Sequence, residues 1–237
     1  MFYDFHIHTA LSPCGDEDMT PNNIVNMALL NGLDAIAITD HNTCGNVRAV
    51  AEAAAETGLM FVPGMELETS EEVHVICLLP DLDTAERFSA HVDNCLPNIK
   101  NKPEIFGRQI LFNSRDEEAG EHGKLLITAT SIDLYTLVKL ARDYGGVPIP
   151  AHVDRSSYSI ISNLGFVPWD LDIQRVEFSK YAEPEKYMAD HAGAFQKKLK
   201  YLRSSDAHYL KDIAERENFL DLEGPVNARS IIMMLRE

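Results

Sequence analysis

The chain has 237 residues, 45% of them hydrophobic, and a formal net charge of −16. That apolar content is enough for one substantial core, and no run of about 18 apolar residues suggests a membrane span. A surface this acidic repels polyanions and argues against duplex DNA as a partner, while leaving room for a small phosphorylated substrate whose charge bound cations offset.

Apolar alternation makes MFYDFHIH a strand, and its period of two sends His6 and His8 to one face and Ile7 to the other. Two imidazoles at a strand end, just before a loop, are poorly explained as packing and well explained as two ligands of one metal. TPNNIVNMALLNG follows as a helix, with Thr20 as N-cap, Pro21 at the first helical position and Gly32 as the stop. LDAIAITDH is a buried strand, NVRAVAEAAAETG an alanine-rich helix, and LMFVPGMELET and EEVHVICLLP two further strands. TAERFSAHVDNCL is a helix. Residues 97–130 break the rhythm: GRQILFNSRDEEAGEHGKLLITA reads as two strands joined by a polar, Gly-containing turn, a hairpin or small insertion. Alternation resumes with the helix SIDLYTLVKLARDYGG and the strands VPIPAHVD and IQRVEFSK. KLKYLRSSDAHYL carries a strand into a loop, and NARSIIMMLRE is a closing helix. The four cysteines (Cys14, Cys44, Cys77, Cys95) lack CxxC spacing and read as free thiols of a reducing cytoplasm. No basic-then-apolar leader is visible at the N-terminus.

Strand–helix alternation predicts a mainly parallel sheet. Polar residues recur at the ends of successive strands: His6 and His8, Asp40 and His41, Glu66, His152, Asp206 and His208, with His74 inside its strand. In a β/α barrel such ends ring one mouth, so an α/β fold closed into a distorted barrel is expected. Imidazoles mixed with carboxylates suit manganese, iron or zinc, and the candidates exceed what one tetrahedral ion can use. Two or three ions, with Glu66 as a bridge, account for them, and such clusters polarise phosphoryl oxygens. His91, His122 and His191 fall in helices or the polar insertion and read as ordinary surface residues.

DFHIHTALSPCG, AIAITDHN, PGMELE, VHVICL, IPAHVD and SSDAH, in order from residue 4 to 208, resemble the motifs of the PHP (polymerase and histidinol phosphatase) family. The resemblance implies one distorted β/α barrel over residues 1–237, commonly seven-stranded in that family, with the small hairpin insertion at about 97–130. It also implies a trinuclear metal site for phosphoester hydrolysis. Carried over, His6 and His8 bind one metal, Glu66 bridges two, His41, His74 and His152 surround the other ions, and Asp206 and His208 complete the set. Asp40 orients a histidine from behind. The chain departs from the pattern after His8, where members often place a His or Asp ligand. Here the loop offers Cys14 and Asp16, either as a ligand or as parts of a plain turn.

Behind the ligands stand donors for phosphate. Arg155, followed by Ser156 and Ser157, is placed either to grip phosphoryl oxygens or to pair with Asp154 or a neighbour, and Lys180 ends another strand. Tyr158 is positioned to stack on a base or ring, and NLGF after Ser162 to form a lid or wall. The expected function is a cytoplasmic metal-dependent phosphoesterase acting on a small phosphomonoester, a nucleotide or a short oligonucleotide. Glu66, His152 and His208 are its candidate catalytic residues, and the last two can protonate the leaving group. Alternatives are a histidinol-phosphate phosphatase, a non-catalytic PHP-like domain and an amidohydrolase-type enzyme; the last would want a lysine at a mid-barrel strand end, where this chain has Glu66.

Overall fold

The apolar runs become buried strands in a computed structural model that describes residues 1–222, 224 and 226–237. In chain order the first elements are β1 (Tyr3–Ile7), α1 (Pro21–Leu30), β2 (Ala35–Ile38), α2 (Val47–Ala54), β3 (Met60–Glu68) and β4 (His74–Leu78). Next come α3 (Leu82–Asp93), α4 (Pro103–Phe106), β5 (Ile110–Phe112), β6 (Glu118–Glu121) and α5 (Leu134–Asp143). The chain closes with β7 (Val147–Pro150), α6 (Ile160–Leu164), β8 (Arg175–Phe178), α7 (Pro184–Asp190), β9 (Lys200–Arg203) and α8 (Ala228–Leu235).

Five strands form one curled sheet in the order β1-β2-β3-β4-β7. The first three are parallel, with Tyr3 opposite Ala35 and Ala35 opposite Met60. β4 runs antiparallel to both β3 and β7, so the sheet is mixed rather than mainly parallel. The reason is chain length: only residues 69–73 separate β3 from β4, and a parallel neighbour needs a crossover of about a dozen residues. β8 and β9 form a separate parallel pair. Backbone contact joins that pair to the sheet at both edges, through His8 N–H to Ala207 O at 2.9 Å and Val153 N–H to Glu177 O at 2.9 Å.

Alternation along the strands divides the core in two. Ile36, Ile38, Met65 and Cys77 join a cluster with Ile24 and Val25 of α1, Val50 of α2, Phe88 of α3 and Leu137 of α5. The opposite set, including Phe5, Ala37, Val62, Ile76 and Ile149, packs with Ile231, Ile232 and Leu235 of α8. Fully burying each such large side chain contributes roughly 1.5–3 kcal/mol. With its two faces covered, the sheet is free to place polar residues only at its strand ends. No described helix is long and apolar enough to cross a membrane.

Within residues 97–130, β5 and β6 pair antiparallel, with Ile110 opposite Glu121. This segment is tied to the loops that follow β1 and β2. Ile110 N–H donates to Ala10 O at 2.9 Å, and the Asn46 amide donates to Ile110 O and accepts from Phe112 N–H, each at 2.9 Å. Gly107, at φ +97°, lies so close to the loop after His8 that a Cβ there would meet Pro13 O at 2.2 Å. Helices α4, α6 and α7 are short and had no periodic signal to announce them.

Candidate metal centre

Six histidines and two carboxylates from widely separated parts of the chain meet at one end of the sheet. β1 delivers His6 and, just past its end, His8; β3 delivers Glu66, β4 begins with His74, and His152 follows β7. His41 forms an isolated bridge with Glu66, and Asp206 and His208 follow β9. Glu66 is the hub. Its Oε1 lies 3.0 Å from His74 Nδ1, 3.2 Å from His152 Nε2 and 3.3 Å from His6 Nε2. Its Oε2 lies 3.0 Å from His41 Nδ1 and 3.5 Å from His8 Nε2, yet no donor is aligned well enough to hydrogen-bond it. All of these side chains are buried except His208, whose side chain is 22% exposed at the mouth.

The hydrogen bonds behind two of the imidazoles decide what fits between them. Ser12 Oγ donates to Asp40 Oδ1 at 2.7 Å, so its oxygen accepts from His8 Nδ1 at 2.9 Å. His6 Nδ1 faces Glu177 Oε2 at 2.9 Å. With both Nδ1 atoms protonated, the two Nε2 lone pairs confront each other at 3.1 Å, and Asp206 Oδ1 sits 3.2 Å from one and 3.1 Å from the other. Three acceptors at these separations need positive charge among them, either a proton or a cation. A tetrahedral ion with bonds of about 2.0–2.1 Å holds its ligand atoms about 3.3 Å apart, close to the spacings seen. Three groups have ligand atoms within 4.8 Å of one another: His6, His8, Glu66 and Asp206; His41, Glu66 and His74; and His8, His41 and His208. The donors present therefore fit more than one divalent cation.

The electrostatics run the same way. Burial opposes ionisation of Glu66, but His74 and His6 outweigh it and hold the carboxyl well below its usual range. Asp206 is likewise pushed down against burial, chiefly by His6 and His8. Burial disfavours the His6 cation, yet Glu177, Asp206 and Glu66 raise its pKa well above normal; against the same burial His41 is raised by Cys14 and Glu66, and His74 by Glu66. His8 goes the other way, lowered by burial and by His208 and His41, which favours the neutral form that binds metal.

The remaining candidates divide. Asp40 touches no imidazole; it accepts from Thr9 N–H at 2.7 Å, Thr9 Oγ1 at 2.8 Å and Ser12, and reaches His8 only through that serine. Cys14 sits at the exposed rim, where the neighbouring His208 and His41 imidazoles overcome burial and bring its thiol down to about 6. Asp16 turns its carboxylate to Asp18 N–H at 2.9 Å and joins none of the three ligand groups. Arg155 lines the cavity above the cluster and pairs with Asp206 Oδ2 at 2.7 Å, the neighbour left open in the sequence, rather than with Asp154. Lys180 is not at the site: its ammonium donates to Asp212 O at 3.2 Å, and it does not line the cavity. NLGF runs through the end of α6 rather than forming a free lid. His122 pairs with Asp93 at 3.5 Å, away from the cluster, and His91 and His191 are exposed. Ser12 and Glu177 were missed in the sequence. A lone serine in a turn and a glutamate in a strand carry no signal until their partners are known.

Comparison with known proteins agrees with this geometry. The family model described as PHP domain matches residues 4–162. A 5′-3′ exoribonuclease of Salmonella typhimurium is 33% identical over 87 residues, 35% of this chain and 29% of that protein. A 3′,5′-nucleoside bisphosphate phosphatase of Chromobacterium violaceum is 33% identical over 86 residues, 35% of this chain and 28% of that protein. The aligned stretch thus spans under a third of either relative's length. Among solved structures, a Bifidobacterium adolescentis protein provisionally described as a metal-dependent phosphoesterase superposes with a TM-score of 0.60 at 20% identity, covering 98% of this chain and 95% of that one. The lesion-specific endonuclease PfuEndoQ of Pyrococcus furiosus gives 0.63 at 17% identity, over 99% of this chain and 55% of that one. At these identities the structural likeness is one of fold. The family match takes in His6, His8, His41, Glu66, His74 and His152 together, and the chain belongs to the PHP domain family.

Proposed function

We propose that the protein is a metal-dependent phosphoesterase that hydrolyses a small phosphomonoester, a nucleotide or a short oligonucleotide at a centre of two or three divalent ions, manganese, iron or zinc. The observation that carries this reading is the confrontation of His6 Nε2, His8 Nε2 and Asp206 Oδ1 within 3.2 Å, beside a Glu66 oxygen without a hydrogen bond. The 3′,5′-nucleoside bisphosphate phosphatase and the exoribonuclease support the substrate class. We read β1–β4 and β7–β9 as one distorted seven-stranded barrel, residues 1–237 as one domain and residues 97–130 as its insertion.

Ions at such a centre supply Lewis-acid polarisation of phosphoryl oxygens and an activated water near neutral pH. The chain supplies the rest. His6, His8, Glu66 and Asp206 would hold one position and His41, Glu66 and His74 a second, while His208 and Cys14 at the rim offer donors for a third. Glu177 and Ser12 fix the tautomers of His6 and His8 so that Nε2 faces the site in both. Arg155 keeps N–H donors beyond its bond to Asp206, suited to non-bridging phosphoryl oxygens. His208, the most solvent-accessible imidazole of the cluster, is placed to give a proton to the leaving oxygen where it is not taken up as a ligand, and His152 on the same condition is the alternative donor. The test is metal content per chain on protein purified without chelator, followed by phosphate release from phosphomonoesters and short oligonucleotides. Two or three ions and metal-dependent release are expected. Protein that holds no metal, and stays inert after manganese, iron or zinc is restored, would instead be a non-catalytic member of the family.

A further inference from the structure

One wall of the cavity over the centre, a space of about 120 Å³, is the turn that carries Arg155, Ser157 and Tyr158. This turn is built to stay put. Arg155 N–H donates to His152 O at 2.9 Å, Ser159 Oγ to Arg155 O at 2.8 Å, and His74 N–H to Tyr158 O at 2.9 Å. Ser159 then caps α6 in a reciprocal bond with Ser162, and Asn163 anchors that helix to the carbonyls of Glu71 and Glu72 at 2.9 and 2.8 Å. Held at both ends, Tyr158 adopts φ +55°, a conformation an aromatic L-residue keeps only where its surroundings impose it. The result is specific: the phenol ring lies on the His74 imidazole, centroids 4.9 Å apart and planes 25° from parallel, while 47% of the residue stays exposed. A large flat ring is thus half-open to solvent in the same cavity as the ligand cluster and the Arg155 guanidinium.

We propose that Tyr158 is the stacking platform for the base of the substrate, which makes the preferred phosphoester a nucleotide with an unpaired base. This rests on the phosphoesterase reading above. A phosphoryl group held between the cluster and Arg155 brings its ester substituent to the Tyr158 ring. A purine or pyrimidine there stacks through its π-face whatever its sequence. A base still paired inside a duplex has no free face to offer, so a free nucleotide or a single-stranded end is what the wall accepts.

The decisive pair of ligands is a nucleoside 5′-monophosphate and ribose 5-phosphate, which share phosphate and sugar and differ only in the base. Calorimetry on the metal-loaded protein, with hydrolysis-resistant phosphonate analogues of both, gives the ratio of their Kd values; kcat/KM on the natural esters gives a second ratio. The wild type should favour the nucleotide by roughly 5- to 150-fold, the span of one base–aromatic stack, expressed mainly in KM because stacking is equal in ground and transition states. Tyr158→Phe should keep that ratio. Tyr158→Asn, which tolerates positive φ without a ring, should bring it within about twofold of one, with metal content per chain preserved. Equal wild-type binding of the two analogues overturns the platform while leaving the phosphoesterase reading intact. A retained preference in Tyr158→Asn also overturns it, as does loss of metal from that variant, which would make the ring a brace for His74. Metal-loaded wild-type protein that hydrolyses neither ester, nor any other phosphomonoester or short oligonucleotide, sinks both readings together.

Discussion

Replacing Glu66 with glutamine is the sharpest perturbation of the centre. The side chain keeps its shape and loses its charge, in a position within 3.0–3.5 Å of five imidazoles. In the metal-free protein Glu66 contributes to raising His6, His41 and His74, so these pairs stabilise the fold below the unfolded histidine value of about 6.5. That stabilisation is lost as pH rises through the raised folded values. Breaking a buried ion pair by neutralising one partner costs about 3–5 kcal/mol while the other stays charged. At pH 6, Glu66→Gln should therefore lower the unfolding free energy of chelator-treated protein by about that much. Toward pH 9 the imidazoles give up their protons as the pH passes through the raised folded values, and the difference should shrink toward about 1 kcal/mol, the worth of an ordinary hydrogen bond. Urea denaturation at the two pH values measures it, and reconstituted protein should hold at least one ion fewer and release no phosphate. An equal loss of stability at both pH values would show that Glu66 acts by packing, and full metal content with wild-type turnover would refute its bridging role.

Other consequences can be checked alongside. Metal-free wild type should melt at progressively lower temperature as pH rises from 6 to 9, because four raised histidines (His6, His41, His74 and His208) outnumber the two lowered groups, His8 and the Cys14 thiol, which work the other way. Metal affinity should climb over the same range as protons stop competing, and melting curves that move in parallel with and without chelator would contradict this. Ser12→Ala removes the bonds at 2.9 and 2.7 Å that join His8 to Asp40, and should lower metal affinity 10- to 100-fold by titration, with a stability cost of about 1–3 kcal/mol; unchanged affinity would free His8 from any need of that link. His91→Ala, on the exposed face of α3, should leave metal content and turnover near wild type, and a large loss would mean the site is drawn wrongly.

Much of the centre could be read from the chain because strand ends label themselves. An apolar run that stops in HIH, TDH or DAH puts imidazoles where packing has no use for them, and each of those histidines joins the cluster. His74 was weaker, a histidine inside a strand, and only the turn at 69–73 brings it back beside Glu66. That same turn held the evidence that β4 runs antiparallel, which the alternation of strands and helices concealed. Lys180 follows a strand end as Arg155 does, but the carbonyl of Asp212 draws its ammonium elsewhere, a pull that spacing along the chain does not reveal. Glu177 shows the converse, a buried carboxylate in an ordinary-looking strand whose role depends on a histidine 171 positions away.

The edges between the sheet and the β8–β9 pair give one feature a wider meaning. Between β9 and β1 the backbone bonds through His8 N–H to Ala207 O and Ala207 N–H to His6 O, Asp4 accepts from Ser205 N–H, and across the same edge His6 and His8 face Asp206 and His208. An ion held by both sides therefore acts as a removable crosslink between the start of the chain and its last strand. It closes a loop of some 200 residues; by the loop-entropy argument for disulfides, a closure of even 100 residues is worth about 4–5 kcal/mol. Such a fastening makes the supply of metal a determinant of how long the folded protein lasts as well as of what it catalyses. Molecules short of the ion would be less firmly fastened at that edge and more vulnerable to proteases, so that scarcity would thin the population of the protein before it slowed the proposed reaction.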